Sequence, residues 1–100
     1  MAAYSVTGAT GTKTLTLATE DTVTFGKHFP WLVVTNLHAT NDLSVAFDLT
    51  ITAAGQVETV TIAPGATRCL EVAGNLAEKT LHVLGNANPY CAFGTERAEF

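Results

Sequence analysis

The chain has 100 residues, 47% of them hydrophobic and only 14% charged, with a formal net charge of −4. This is one domain's worth of sequence, apolar enough to form a core and therefore not a disordered segment. Its five cations, Lys13, Lys27, Arg68, Lys79 and Arg97, stand singly and form no basic stripe, which argues against nucleic-acid and anionic-membrane partners; no apolar run approaches the ~18–20 residues of a spanning helix.

Taken in chain order, Met1–Gly11 is small and neutral, and reads as a flexible N-terminal arm that orders when it meets a surface, with a short edge strand around Tyr4–Thr7 as the alternative. Met1–Gly8 has neither the cationic start nor the apolar core of a secretory signal. Gly8-Ala-Thr-Gly11 lacks the strand–helix setting of a phosphate loop. Thr12–Ala18 alternates, with Leu15 and Leu17 expected inward, and Thr19-Glu-Asp21 suits a turn. Val23 and Phe25 then alternate with Thr22 and Thr24, as a hairpin partner or the continuation of one bent strand. Gly26–Pro30 breaks the pattern, and Pro30 holds its predecessor in extended geometry. Trp31–Thr35 is apolar and β-branched, the composition of a central strand covered on both faces.

Asn36–Asp42 is rich in turn formers. Leu43–Ile51 comes next with nine residues of strict period two: Leu43, Val45, Phe47, Leu49 and Ile51 fall on one parity, Ser44, Ala46, Asp48 and Thr50 on the other. A helix would scatter those five large side chains, so the segment predicts one long strand with a buried and a wetter face. Thr52–Gln56 is a connection and Val57–Ile62 a strand. Pro64-Gly65 suits the central positions of a type II turn. Arg68–Val72 is a strand, Gly74-Asn75 a turn, Thr80–Leu84 a strand, Gly85–Pro89 a loop and Tyr90–Phe93 a last strand. The expected organisation is an arm over 1–11, one all-β domain over 12–94 and a polar tail over 95–100. Seven to eight short antiparallel strands between turn signals match a single small β-sandwich or jelly-roll-like barrel.

Few residues suggest chemistry. Cys69 and Cys91 sit in strand-like runs and read as reduced, core-packed thiols, with one disulfide as the alternative. No two of His28, His38 and His82 have the spacing of a local metal-ligand pair. No Gly-x-Ser-x-Gly elbow is present, and a Cys91–His82 pair has no supporting motif. Asp48 and Glu71 are mid-strand acids that could meet across a sheet, though a solvated face explains them better. Asn36, Asn41 and Asp42 match no calcium loop and suit turns. The reading is therefore a non-enzymatic protein without cofactor or metal. The low charge lowers the desolvation cost of protein contact, since average chains carry about 25% charged residues; a neutral surface built on seventeen threonines is the plainer alternative.

The order of motifs carries a resemblance. Asp21-Thr-Val-Thr-Phe25, Trp31-Leu-Val-Val-Thr-Asn36, Leu43-Ser-Val-Ala-Phe-Asp48, Ile62-Ala-Pro-Gly65, Leu70-Glu-Val72, Thr80-Leu-His-Val-Leu84 and Asn88-Pro-Tyr-Cys-Ala-Phe-Gly94 succeed one another as in small tailed-bacteriophage head proteins of the capsid decoration (cement) type, which residues 20–94 resemble. The resemblance implies a virion protein, made in the host cytoplasm, that binds the outer capsid surface. Its partner would be the major capsid protein, and it would act as a homo-oligomer with a trimer favoured. Interface residues expected on this reading are Tyr4 and Val6 in the arm, Trp31 and Tyr90. The alternatives are a head-fibre or tail component, and a carbohydrate- or ligand-binding sandwich in which Trp31 and Tyr90 are exposed together on one face.

Overall fold

The computed structural model describes residues 2–53 and 56–98. Met1 of the expected arm, residues 54–55 of the 52–56 connection and residues 99–100 of the tail lie outside the described residues. The described chain forms nine strands: β1 (Ala2–Val6), β2 (Lys13–Thr14), β3 (Asp21–Phe25), β4 (Trp31–Asn36), β5 (Leu43–Phe47), β6 (Val60–Ile62), β7 (Thr67–Glu71), β8 (Thr80–Leu84) and β9 (Pro89–Thr95). They make two sheets, ordered β1-β3-β8-β5-β6 and β2-β9-β4-β7. All pairings are antiparallel except β1 with β3. This is the expected small all-β sandwich, with one strand more and one parallel edge.

Alternation explains the core. From the first sheet, Val23, Phe25, Leu81, Val83, Leu43, Val45 and Ile62 face inward; from the second come Leu32, Val34, Tyr90 and Ala92. Leu15, Val72 and Leu76 close the ends. Burying each large aliphatic side chain contributes about 1.5–3 kcal/mol. Leu76 comes from a single 3-10 turn, Leu76–Glu78, whose first free amide, that of Ala77, donates to the Asn75 side chain. β4 lies between β9 and β7, central as its composition requires. The turn at Pro64-Gly65 has the Gly65 φ of +72° and the Ala66 N–H to Ala63 carbonyl bond of a type II turn.

Several segments depart from the local pattern. The nine-residue strand stops at Phe47, because Asp48 takes a left-handed φ of +53°. Its carboxylate instead accepts the Thr80 amide and lies 3.6 Å from the Lys79 ammonium. The break inverts the parity of residues 49–51. Ile51 packs with Ala46 and Leu84 on the outer face of the first sheet, not with Leu43 and Val45 in the core. Leu17 is 63% exposed and Val57 82% exposed, so neither points inward; left-handed residues beside them, Ala18 and Glu58, end the alternation there. Glu20 and Asp21, expected in an exposed turn, are both buried.

The N-terminal segment is also corrected. Ala2–Val6 is seated as an edge strand against β3, with Tyr4 and Val6 against the core. Gly8–Thr10 then crosses to the other sheet. The Gly8 carbonyl accepts the Gly94 amide, the Thr10 amide donates to the Ala92 carbonyl and the Thr10 hydroxyl accepts the Ala92 amide. Residues 2–14 thus close one side of the sandwich by pairing with both sheets. The edge-strand alternative describes this segment; an unattached arm does not.

At one end of the sandwich two loops are stapled by amides. Asn36 Nδ2 donates to the Asn41 and Ile62 carbonyls, and its Oδ1 accepts from the His38 amide and from Asn88 Nδ2. Asn88 Nδ2 also reaches the Asn41 carbonyl, and its Oδ1 accepts the Asn86 amide. Asn36 and Asn88 are fully buried, and their network ties loop 36–42 to loop 85–89.

Candidate functional site

The outward side of the second sheet carries a group of apolar side chains, in which Val33 is buried, Trp31, Cys69 and Cys91 are half-buried and Phe93 is exposed. By register, Cys69, Val33 and Phe93 form one cross-strand row on it, Thr67, Thr35 and Cys91 the next, and Glu71, Trp31 and Thr95 a third. Inward-facing Leu32 and Val34 require this, because neighbours along a strand alternate. The rows are held by backbone ladders on both sides of β4 and by a 2.9 Å hydroxyl pair between Thr35 and Thr67. Phe93 is 39% exposed. Trp31, Thr35, Thr67, Cys69 and Cys91 are half-buried. Glu71, at a corner, is the only charged side chain in the nine. The outward side of the first sheet combines Thr22, Thr24, Thr61, Thr80, Ser44 and His82 with Ala46 and Leu84, which are buried against Ile51.

The four expected interface residues separate. Trp31 lies on the outward face of the second sheet. Tyr4 and Val6 are half-buried on the edge strand and face the core, and the Lys13 ammonium sits 4.3 Å from the Tyr4 ring centre. Tyr90 is fully buried, so it is corrected from interface to core. Its ring fills the space between the sheets and its hydroxyl donates to Asp21 Oδ2 at 2.8 Å. Burial raises the Asp21 carboxyl above its ordinary pKa, against the lowering effect of the Tyr90 bond and of the Ala2 amide. Burial, and then the bond to Asp21, also raise the Tyr90 phenol. The site is a structural lock joining β9, β3 and β1. With Tyr90 in the core, Trp31 and Tyr90 share no exposed face, and the aromatic platform expected for a sugar-binding sandwich is not formed.

The remaining chemical candidates are dispersed. Cys69 and Cys91 are free. They lie on strands flanking β4, two strand spacings of about 4.8 Å apart and two residues out of register. A disulfide needs Cα atoms within about 7 Å, so the pairing left open by the sequence is excluded by the fold. They are also half-exposed on the outward face rather than packed in the core. Cys91 and His82 belong to different sheets and face outward on opposite sides. Asp48 lies just past the end of β5 in the first sheet and Glu71 at the end of β7 in the second, so they do not meet across a sheet. Asn36 makes a local turn bond, from the His38 amide, but its bonds to the Ile62 carbonyl and Asn88, and that of Asn41 to the Asn86 carbonyl, tie distant segments together. His82 Nδ1 lies 3.1 Å from both oxygens of Glu20, whose Oε2 also accepts the Ile51 amide at 2.9 Å. This pair fastens the 48–53 segment onto the first sheet. His82 alternates with the inward-facing Leu81 and Val83 and so points outward, but nothing local in the sequence signals that Glu20 reaches it. Among the described residues, no three His, Cys, Asp or Glu side chains gather as metal ligands would.

Compared with known protein families, curated proteins and solved structures, the chain matches none.

Proposed function

We propose that the protein is a structural component of a bacteriophage virion that decorates or cements the outer capsid surface through non-covalent contacts with the major capsid protein. It acts as a homo-oligomer, with a trimer favoured, and not as an enzyme. The observation that carries this reading is the outward face of the second sheet, where the exposed Phe93 and the half-buried Trp31, Cys69 and Cys91 stand around the buried Val33 with a single charge at the corner. Such a face loses little ion hydration when another protein covers it. It is small, and a small contact suits a lattice, where many weak contacts add through repetition. The motif order over residues 20–94 supplies the capsid as the surface concerned. The seated strand β1 removes a free arm from the reading, so contact rests on the rigid sheet face.

The test is co-sedimentation of the purified protein with tailed-phage heads stripped of small surface proteins. Saturable binding at a fixed ratio to the major capsid subunit is expected, with Phe93→Lys binding weakly while its circular dichroism stays that of the parent. A folded parent protein that leaves heads bare overturns the reading.

A further inference from the structure

A cleft of about 560 Å³ opens at the stapled end of the sandwich. Its size lies within the range of small-molecule sites, about 300–1,000 Å³. Its lining includes Asn41, Asp42 and Asn86 from the amide-stapled pair of loops, Thr52 from the 48–53 segment, and the apolar Leu17 and Leu84. We propose that this cleft binds a neutral polyhydroxylated ligand, a saccharide.

Three features support a built site. First, both parts of the lining are braced from behind. Asn41 Nδ2 donates to the Asn86 carbonyl, linking the two loops, and the buried Asn36–Asn88 network holds both from inside. The Thr52 segment hangs from Glu20 through the Ile51 amide, and the Gln56 side chain clamps it by accepting from the Thr52 amide and hydroxyl and donating to the Thr50 carbonyl. A rim fixed by supporting bonds loses little entropy on binding. Second, the fold tolerates backbone strain around it. Ala18 lines the cleft with φ +58°, and Ala87, beside Asn86, has φ +59°. Alanine is disfavoured there, and such strain gathers at ligand sites. Third, Leu17 is a large apolar side chain left in solvent at the cleft.

The lining dictates the ligand class. It contains no cation, and its one charge is the Asp42 carboxylate, so anionic ligands are repelled. Among the described residues, the Asp42 and Asn86 side chains make no hydrogen bond of their own, and they remain available to ligand hydroxyls. A carboxylate accepts from hydroxyls in short, charge-assisted bonds, and a side-chain amide both donates and accepts. The exposed Leu17 suits the C–H face of a sugar ring. This inference does not depend on the capsid reading.

The experiment is a ¹⁵N-correlation NMR titration of the full chain with glucose, galactose and N-acetylglucosamine oligosaccharides, and with glucuronate as the anionic control. Saturable shifts confined to the amides of residues 40–42, 52–53 and 84–86 with at least one neutral sugar are expected. Affinity should fall at least tenfold in Asp42→Ala and in Leu17→Ser, both at the cleft rim, whose spectra elsewhere should match the parent. No saturable shift with any neutral sugar, shifts centred elsewhere, or glucuronate binding as well as the neutral sugars overturns it.

Discussion

Tyr90→Phe removes one oxygen from the core and leaves the ring. No cavity forms, so the loss is that of the 2.8 Å bond to Asp21. A hydrogen bond to a charged group contributes about 1.5–3 kcal/mol, against about 0.5–1.5 kcal/mol for a neutral pair. At pH 7 the variant should therefore lose about 1.5–3 kcal/mol, on the order of 10 °C in melting temperature for a domain of this length. The pH dependence arises from Asp21. Burial raises its folded pKa above the ordinary 3.8, so the charged form is disfavoured in the fold. Its contribution to stability is most favourable below the unfolded pKa and is lost as pH rises through the folded one. The Tyr90 bond limits that loss by favouring the carboxylate. Without it the folded pKa climbs further, so the deficit of Tyr90→Phe should be smallest at pH values below the titration of Asp21 and should grow as pH rises through it. Asp21→Asn should flatten the parent's profile over the same range. Urea unfolding at a series of pH values measures both. A deficit under about 0.5 kcal/mol at pH 7, below even a neutral bond's range, would refute the lock, as would one that does not change with pH.

Other perturbations test the rest of the fold. Gly94→Ala would drive a Cβ into the Phe29 ring at Cδ2 and Cγ, and a ring packed on the core cannot swing aside freely. A loss of about 1–3 kcal/mol is expected from overpacking, read by thermal melting; an unchanged melt would show that Phe29 is mobile. Deleting residues 1–11 strips β1 from β3, unseats Tyr4 and Val6 and frees the Gly94 and Ala92 amides. Stability should drop by about 2–4 kcal/mol; parental stability in denaturant would show that the strand contributes nothing. Mild oxidation of the native monomer should form no internal disulfide, and both thiols should still alkylate after unfolding. A 2 Da mass loss with native circular dichroism would contradict the register of β4 with its neighbours.

Local sequence determined the existence and type of most elements. Asp21-Thr-Val-Thr-Phe25 and Thr80–Leu84 are strands because large side chains on one parity can be buried together only in an extended chain, and Trp31–Asn36 is one because its run of apolar, β-branched residues suits a central strand. Pro64-Gly65 turns because its two residues supply the required φ values unaided. Alternation says which side chains share a face, but not which face is covered, nor by what. Tyr90 reads as an interface tyrosine until Asp21, 69 positions away, is brought to its hydroxyl. Glu20 looks like a turn acid until His82 and Ile51 arrive to use it. Leu43–Ile51 keeps perfect period two, yet Asp48 breaks it, because pairing its carboxylate with the Thr80 amide and Lys79 outweighs one more step of the pleat. The N-terminal segment, small and neutral, left a free arm and a short edge strand around Tyr4–Thr7 both open, and the strand over Ala2–Val6 is decided by the open edge that β3 offers. Periodicity is a property of neighbours in sequence, and so it was legible. Burial, pairing and the cleft depend on residues tens of positions apart, and only the packed sheets decided them.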